Sequence, residues 1–124
     1  MKVLLSIKPE YAEKILSGEK KYEFRRAIFK DQSVKKVVIY ASSPIQKVIG
    51  EFDIECVITL NLDELWESTK HHAGIDKEFY DSYFHGKEVG HAIKVKKTRR
   101  YRKHQNLDDY DIKYPPQSFL YLST

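Results

Sequence analysis

The sequence predicts an α+β fold, in which a small mixed or barrel-like β-sheet is surrounded by peripheral helices. Segments of alternating or β-branched residues are mostly consecutive along the chain, whereas the helical segments are few and short. The chain has 124 residues, 41% of them hydrophobic and 13% aromatic, so we expect residues 1–124 to form one packed domain. The predicted order of elements is β-α-β-β-β-α-α-β-β.

The first elements are a strand, a helix and two further strands. Residues 3–7 are apolar and predict a buried strand, which Lys-Pro ends before a helix with apolar residues at helical spacing. Gly18 suits the left-handed position that ends a helix. Residues 20–27 then alternate as a strand does, and residues 37–40 are apolar and β-branched, which indicates another strand.

The long strand predicted over residues 48–60 has one apolar and one charged face. Glu51, Asp53 and Glu55 are expected to face solvent. Gly50 falls on the inner face and predicts a bulge or a bend. The residues expected to face the core are Val48, Phe52, Ile54, Cys56, Ile58 and Leu60.

Two short helices and two strands complete the chain. Asn61 is the predicted cap of the first helix and Asp76 that of the second. Residues 89–95 alternate as a strand that runs into a basic segment, and residues 117–122 predict a last strand. The second helix carries four aromatic residues at pairing distance, which we expect to be core rather than a stacking platform: Phe79, Tyr80, Tyr83 and Phe84.

Charge is distributed unevenly along the chain, whose formal net charge is +4. Residues 51–93 contain three Lys and ten Asp or Glu, whereas residues 94–104 contain seven Lys or Arg and no acid. The basic segment is interpreted either as a phosphate-binding strip or as an edge strand that its charges protect from aggregation. As a strip, it would contact nucleic acid through Lys94, Lys96, Arg99 and Arg100.

Composition also bounds the compartment and the kind of site. One cysteine excludes an intrachain disulfide, and no stretch is long and apolar enough for a signal peptide or a transmembrane helix. We therefore expect a cytoplasmic protein with no membrane partner. The histidines and Cys56 lack the spacing of metal ligands, and no nucleotide-binding glycine motif occurs, so we expect neither metal nor cofactor. The sequence predicts no oligomeric state.

The strand after the first helix carries a compact polar group. Lys20 lies at its mouth, and Glu23 and Arg25, two residues apart, project from one face. The aromatic residues between them project toward the core, and Arg26 shares that side unless the strand ends or twists first. The group suits an anionic or hydrogen-bonding ligand, with Glu23 holding the guanidinium of Arg25 in place. The alternative is a surface ion pair that contributes little.

This pattern, Gly-x-Lys-x-x-Glu-x-Arg after a strand and a helix, resembles the ASCH domain, a branch of the PUA-like superfamily. The motif positions are Gly18, Lys20, Glu23 and Arg25. The resemblance covers nearly the whole chain and extends to small stand-alone ASCH-like proteins, some of them described as predicted transcriptional regulators. The further matching stretches are residues 6–9, 15–18, 40–44 and 115–119.

The resemblance implies a small β-barrel with helices at its rim and a cleft between the barrel and the first helix. The family is thought to bind RNA or another nucleic acid in that cleft. Some members are small hydrolases, namely an amidohydrolase acting on acylated cytidine and a proposed ribonuclease. In the amidohydrolase branch a Thr stands where this chain has Glu23, and a second Glu comes from a later helix. This chain departs from that pattern, although Lys20 and Arg25 are retained.

Five further residues are candidates to bind the ligand, Lys8 from within the same cleft and the others at a phosphate or a base edge, each with a purely structural alternative. Lys8 precedes a proline and is therefore held extended at the end of a strand. Ser42 and Ser43 lie in a tight loop with exposed hydroxyls and amides. Gln117 and Ser118 begin the last strand, where a glutamine suits the edge of a base.

Three functions are compatible with these residues, and we predict the first. A nucleic-acid-binding domain, above all one for RNA, would contact phosphate through Lys20, Arg25 and Arg26. Glu23 would orient Arg25 or accept a hydrogen bond from a base amino group. A small nucleoside is the alternative ligand. A hydrolase would use Lys20 as nucleophile or base and Glu23 as general acid or base. Burial would lower the pKa of Lys20, and the nearby Glu would oppose that shift. A protein-interaction domain would instead bind a basic partner through the acidic middle segment.

Overall fold

The computed structural model describes residues 1–122, which contain one six-stranded sheet and three α-helices. The strands are β1 (Lys2–Ile7), β2 (Tyr22–Arg25), β3 (Lys36–Ala41), β4 (Lys47–Asn61), β5 (Val89–Gln105) and β6 (Phe119–Leu122). The α-helices are α1 (Pro9–Ser17), α2 (Leu62–Thr69) and α3 (Lys77–Tyr83), and short 3-10 turns span Lys70–His72 and Leu107–Tyr110.

The α+β class and the predicted order of elements are confirmed. The strands follow the order β2-β5-β4-β3-β1-β6 across the sheet. β1 and β3 are parallel and the other neighbours are antiparallel. Within residues 1–122 no backbone ladder joins the edge strands β2 and β6, so the sheet is open. Its two edges nevertheless lie close together, because the side chain of Arg25 on β2 reaches the carbonyl of Ser118 just before β6.

Helix α1 begins and ends where the sequence predicts. Pro9 occupies its first turn, and Gly18 ends it in the left-handed region, with φ 89°. The N–H of Gly18 donates to the carbonyl of Ile15 at 3.1 Å. Ala12 and Ile15 are fully buried against the sheet, so the apolar side of α1 fixes its position over β3 and β5.

The two later helices have the predicted caps. The side chain of Asn61 accepts from the backbone N–H of Glu64 at 2.9 Å. The side chain of Asp76 accepts from the backbone N–H of Phe79 at 2.8 Å. Each cap satisfies an N–H group that the first helical turn leaves without a partner.

Strand β4 does not keep the single alternation that its sequence predicts. Its pairing with β5 shifts register between Val48 and Gly50, where a bulge or bend was expected, and twice more between Asp53 and Cys56. Each irregularity changes which residues face the core. The prediction that Cys56 faces the core was therefore wrong, because Cys56 lies at the surface. The prediction that Glu51 faces solvent was also wrong: Glu51 keeps the face it shares with Asp53, but that face is covered and Glu51 is only 4% exposed.

Strand β2 is shorter than the predicted segment of residues 20–27. It pairs with β5 from Tyr22, opposite Lys94, to Arg25, opposite His91. Lys20 therefore lies just before the strand, and Arg26 lies just after it and is exposed. The strand ends before Arg26 can share the buried side of its aromatic neighbours.

The sheet is covered on both faces. Between α1 and one face, the core contains Val3, Leu5, Val37, Ile39 and Phe52. A second cluster under α2 and α3 is built on β2 and β5, and a third covers the opposite face, where the connection between β5 and β6 packs. None of the helices in residues 1–122 has the length and apolarity needed to cross a bilayer.

Candidate functional site

A cleft of about 310 Å³ opens where the two edges of the sheet approach each other. Its walls come from the end of β1, the start of α1, strand β2, helix α3 and the segment before β6. The cleft therefore borders α1, as the resemblance implies. The three segments before α3 and the last one contribute charged or hydrogen-bonding groups to it.

Lys20 lies at the floor of the cleft and is 2% exposed. Its Nζ donates to the carbonyl of Ala73 at 2.6 Å and lies 4.8 Å from the ring centroid of Phe24 and 5.6 Å from that of Tyr11. Burial lowers the pKa of Lys20 to about 8, although Glu23 opposes the shift. The expected opposition by Glu23 is present, but burial is the larger effect.

The loop that receives Lys20 depends on a glycine that the sequence analysis did not single out. Gly74 has φ 71°, a conformation that other residues rarely adopt. A Cβ at Gly74 would lie 2.5 Å from Cγ of Lys20 and 2.6 Å from its Cβ. The carbonyl of Gly74 also accepts from Nζ of Lys14 at 3.2 Å. The loop is thus shaped to the stem of Lys20.

Glu23 and Arg25 form a buried ion pair beside Lys20. Nη1 of Arg25 lies 3.1 Å from Oε2 of Glu23, and their side chains are 11% and 8% exposed. This confirms that both residues project from one face of β2. The surface ion pair considered as the alternative is not what forms, because both groups are removed from water.

Arg25 also connects the two edges of the sheet by hydrogen bonds. Its Nη2 donates to the carbonyl of Ser118 at 2.6 Å, and Nη1 approaches the carbonyl of Ser6 at 3.4 Å. Three of the five N–H donors of the guanidinium are therefore hydrogen-bonded within the protein. Arg25 holds edge strand β2 against the end of β1 and the segment before β6.

Aromatic side chains form the apolar wall of the cleft. Tyr11, Phe24, Phe79 and Tyr83 line it, and the rings of Phe79 and Tyr83 stack with centroids 6.2 Å apart. The hydroxyl of Tyr83 donates to the carbonyl of Phe24 at 3.2 Å. The expectation that the four aromatic residues of α3 and its C-cap belong to the core holds for only two of them.

The two core residues are Tyr80 of α3 and Phe84 at its C-cap, at 1% and 0% exposed. Helical geometry separates the pairs, because Phe79 and Tyr83 share one side of α3 and Tyr80 and Phe84 the next. The sequence signal for the wall was therefore the repeated i,i+4 pair. Which pair faced the cleft depended on where α3 packs.

Lys8 and Gln117 line the cleft and Ser118 lies beside it, with different roles. Lys8 is exposed, lines the cleft and has its Nζ 5.2 Å from the ring centroid of Phe79. The side chain of Gln117 lines the cleft, whereas Ser118 contributes its backbone carbonyl to Arg25. Arg26 is near the rim, where Nη1 donates to the carbonyl of Tyr83 at 3.3 Å.

Ser42 and Ser43 lie in the predicted tight turn but do not line this cleft. The N–H of Ser42 donates to the carbonyl of Ile7 at 2.9 Å, and the N–H of Ile45 donates to the carbonyl of Ser42 at 3.1 Å. The peptide bond between Ser43 and Pro44 is cis. The turn therefore hydrogen-bonds to itself and to the end of β1.

The basic segment of β5 is divided between two faces and is partly neutralised. Nζ of Lys94 lies 2.9 Å from a carboxylate oxygen of Glu55, and Arg100 makes a two-pronged ion pair with Glu13 of α1, with both contacts at 2.8 Å. Thus Lys94 and Arg100 fasten β5 to its neighbours. Within residues 1–122, no ion pair is formed by Lys96, Lys97, Arg99, Arg102 or Lys103.

Comparison with known proteins gives one family. The model of the ASCH domain family matches residues 5–99. A solved structure of the ASCH protein from Zymomonas mobilis superposes with a TM-score of 0.89 at 31% identity, covering 98% of this chain and 87% of the other. The N-terminal domain of McrB from Staphylothermus marinus, at 14% identity and a TM-score of 0.51, shares the fold alone.

Two sequence relatives differ in how much of their length this chain spans. A protein from Zymomonas mobilis described as an ASCH domain-containing ribonuclease is 32% identical over 123 residues, which cover 96% of this chain and 82% of that protein. A protein from Ureaplasma parvum described as large ribosomal subunit protein uL22 is 31% identical over 120 residues. The match covers 97% of this chain but only 39% of the Ureaplasma protein.

Proposed function

This chain belongs to the ASCH domain family, and we propose that it binds single-stranded RNA by holding one nucleotide in the cleft. The observation that carries the proposal is the buried Lys20 beside the Glu23–Arg25 pair at the floor of an aromatic-lined cleft. The relationship to a protein described as an ASCH domain-containing ribonuclease supports RNA as the ligand class.

The two kinds of wall suit the two parts of a nucleotide. The rings of Tyr11, Phe79 and Tyr83 offer π-faces, and stacking of a base on an aromatic side chain contributes about 1–3 kcal/mol. At the floor, the ammonium of Lys20 can donate to a base acceptor, and Glu23 can accept from a base amino group. Lys8 at the mouth is placed for a phosphate, because it is the exposed cation of the cleft lining.

Binding of a trinucleotide RNA to Lys20→Met tests the proposal. Methionine keeps the length of the buried stem and removes the charge, so we expect a loss of at least tenfold in affinity, about 1.4 kcal/mol. Lys21→Met is the matched control, because Lys21 is the adjacent lysine, is exposed and does not line the cleft. Equal affinity of a folded Lys20→Met variant and the control would refute the cleft assignment.

A second candidate, hydrolysis of RNA in the same cleft, is favoured by one property of Lys20. With its pKa at about 8, a substantial fraction of the amine is neutral at mildly alkaline pH and available to accept a proton from an attacking hydroxyl. Cleavage of a labelled RNA that rises with pH through about 8 and is absent in Lys20→Met would establish this activity. Binding without cleavage would leave the first proposal standing alone.

Other expectations about partners stay predictions. None of the relatives named above is described as a transcriptional regulator, and a free nucleoside as ligand is supported by no separate observation. The cytoplasmic location, the extent of one domain over residues 1–124 and the absence of a metal or cofactor likewise stay predictions.

A further inference from the structure

We propose that Lys97 and Arg99 of β5, named here the β5 strip, form a second binding site for the phosphate backbone of the same RNA. The inference rests on the proposed function, since it supposes that RNA is the ligand of the cleft. It assigns to the basic segment a role that is separate from the cleft in space and in effect.

The β5 strip lies on the face of the sheet opposite α1. Thr98 and Arg100 face α1, where they contact the carbonyl of Leu16 at 3.5 Å and the carboxylate of Glu13 at 2.8 Å. Because side chains alternate along a strand, Lys97 and Arg99 point to the other face. Neither residue lines the cleft beside α1.

The strip borders a groove of about 140 Å³ whose acids are already partnered. Lys36 lies 2.7 Å from an oxygen of Glu51 and 3.4 Å from one of Asp53. Lys97 and Arg99 form no ion pair within residues 1–122, although Asp53 and Glu51 are their partners in the β4–β5 register. The cations of the strip are therefore left for an outside anion.

Arg99 is held in place by a supported aromatic ring. Its guanidinium carbon lies 5.4 Å from the ring centroid of Tyr101. The hydroxyl of Tyr101 donates to the buried carboxylate of Glu51 at 2.7 Å, so the ring is anchored in the sheet. A guanidinium stacked on a fixed ring loses less rotamer freedom on binding than a free lysine does. This arrangement is more than protection from aggregation by charge alone requires.

The spacing along the strand suits an extended backbone. Residues two apart on a strand are separated by about 7 Å, so Lys97 and Arg99 can meet successive phosphates of an extended RNA strand. A chain of this length has a radius of gyration of about 14 Å. A 12-nucleotide RNA is thus long enough to occupy the cleft and reach the strip, whereas a trinucleotide occupies the cleft alone.

The test compares two lengths of single-stranded RNA at two salt concentrations. Labelled 3-nucleotide and 12-nucleotide RNAs of mixed sequence are titrated with wild type, with Lys97→Ala/Arg99→Ala and with Lys30→Ala/Lys87→Ala. The last pair removes the same charge from exposed positions that line neither cavity. Fluorescence anisotropy gives the affinities at about 50 and 200 mM salt.

We expect the affinity of the strip variant to depend less on salt than that of the wild type, and for the 12-nucleotide RNA only. Each phosphate contact contributes about 0.7 to the slope of log affinity against log salt for single strands, so two contacts contribute about 1.4. Between these salt concentrations, the wild type should lose about 7-fold more affinity for the 12-mer than the strip variant does. Affinity for the 3-mer should be the same in all three proteins.

Any one of three results in this titration would refute the β5 strip as a binding site for RNA. They are a 12-mer slope for the strip variant equal to that of the charge control, an equal loss of affinity for both RNA lengths, and no binding of the 12-mer by the wild type. Failure of the cleft proposal looks different, because it appears as an unchanged 3-mer affinity in Lys20→Met. An acidic peptide that binds the strip more tightly than the 12-mer RNA would also reject RNA as its ligand.

Discussion

Replacement of Arg25 should weaken the whole domain, because this side chain joins three separate parts of the chain. Its contacts are Glu23 at 3.1 Å, the carbonyl of Ser118 at 2.6 Å and the carbonyl of Ser6 at 3.4 Å. Hydrogen bonds of charged groups contribute about 1.5–3 kcal/mol each, and the longest of the three counts least. The two short contacts therefore set the expected loss.

Two substitutions separate these contributions. In Arg25→Lys, a single ammonium replaces the planar fork and cannot serve both Glu23 and Ser118, so we expect a loss of about 2 kcal/mol in the free energy of unfolding. In Arg25→Met, Glu23 stays buried without its cation, and the expected loss is about 3–5 kcal/mol. Arg26→Met is the matched control, since Arg26 is exposed, and should change stability by no more than about 0.5 kcal/mol.

Urea unfolding at neutral pH, followed by circular dichroism, measures these differences. The double variant Glu23→Gln/Arg25→Met should be more stable than Arg25→Met alone, because it removes the uncompensated carboxylate. Amide hydrogen exchange at Phe119 should quicken in Arg25→Lys, since β6 begins one residue after the carbonyl that Arg25 holds. If Arg25→Met lies within about 1 kcal/mol of wild type, the joining role is refuted.

Three further predictions concern the floor of the cleft and the network on the other face of the sheet. Gly74→Ala should lower affinity for a trinucleotide RNA more than tenfold, because the added Cβ would meet the stem of Lys20 at 2.5 Å and the backbone there has φ 71°. Gly86→Ala is the control in the same titration, because Gly86 also has a positive φ, 86°, but open space around its Cα. Affinity for that RNA should fall as pH rises through about 8, because burial lowers the pKa of Lys20 and the ammonium is then lost; a Lys20→Met variant should show no such step. Burial by itself would raise the pKa of Glu51, but hydrogen bonds from Lys36 and Tyr101 outweigh it and the net pKa is lowered. The stability that ionised Glu51 contributes is therefore complete above the unfolded-state pKa of about 4.3 and is lost as pH falls through the folded-state pKa. Urea unfolding across the acid range should show a smaller loss of stability in Glu51→Gln than in the wild type.

The polar floor of the cleft was predictable because its signal is local. Glu23 and Arg25 are two residues apart, and any strand places such residues on one face. Gly18 marked the end of α1, which brings Lys20 to the start of β2. In each case, the spacing along the chain determines the spacing in the fold.

The aromatic wall and the buried Glu51 were not predictable because they depend on contacts between distant segments. The sequence of α3 shows two aromatic pairs, but only the packing of α3 against β2 makes Phe79 and Tyr83 the pair that faces the cleft. Glu51 looked exposed because the charged face of β4 was assumed to meet water. Tyr101 and the connection between β5 and β6 cover that face, and Lys36 and Tyr101 make burial of the carboxylate tolerable.

The bond from Arg25 to Ser118 also has a consequence for synthesis on the ribosome, since it spans 93 residues of chain. At about 5–20 residues per second, the carbonyl that completes the closure is translated roughly 5–19 s after Arg25. Lys20 likewise has its carbonyl partner 53 residues later. During elongation, the motif of residues 18–25 therefore lacks the two contacts that bury Lys20 and fix Arg25. On the proposed function, a nascent chain should gain its affinity for RNA late, when the segment before β6 leaves the exit tunnel.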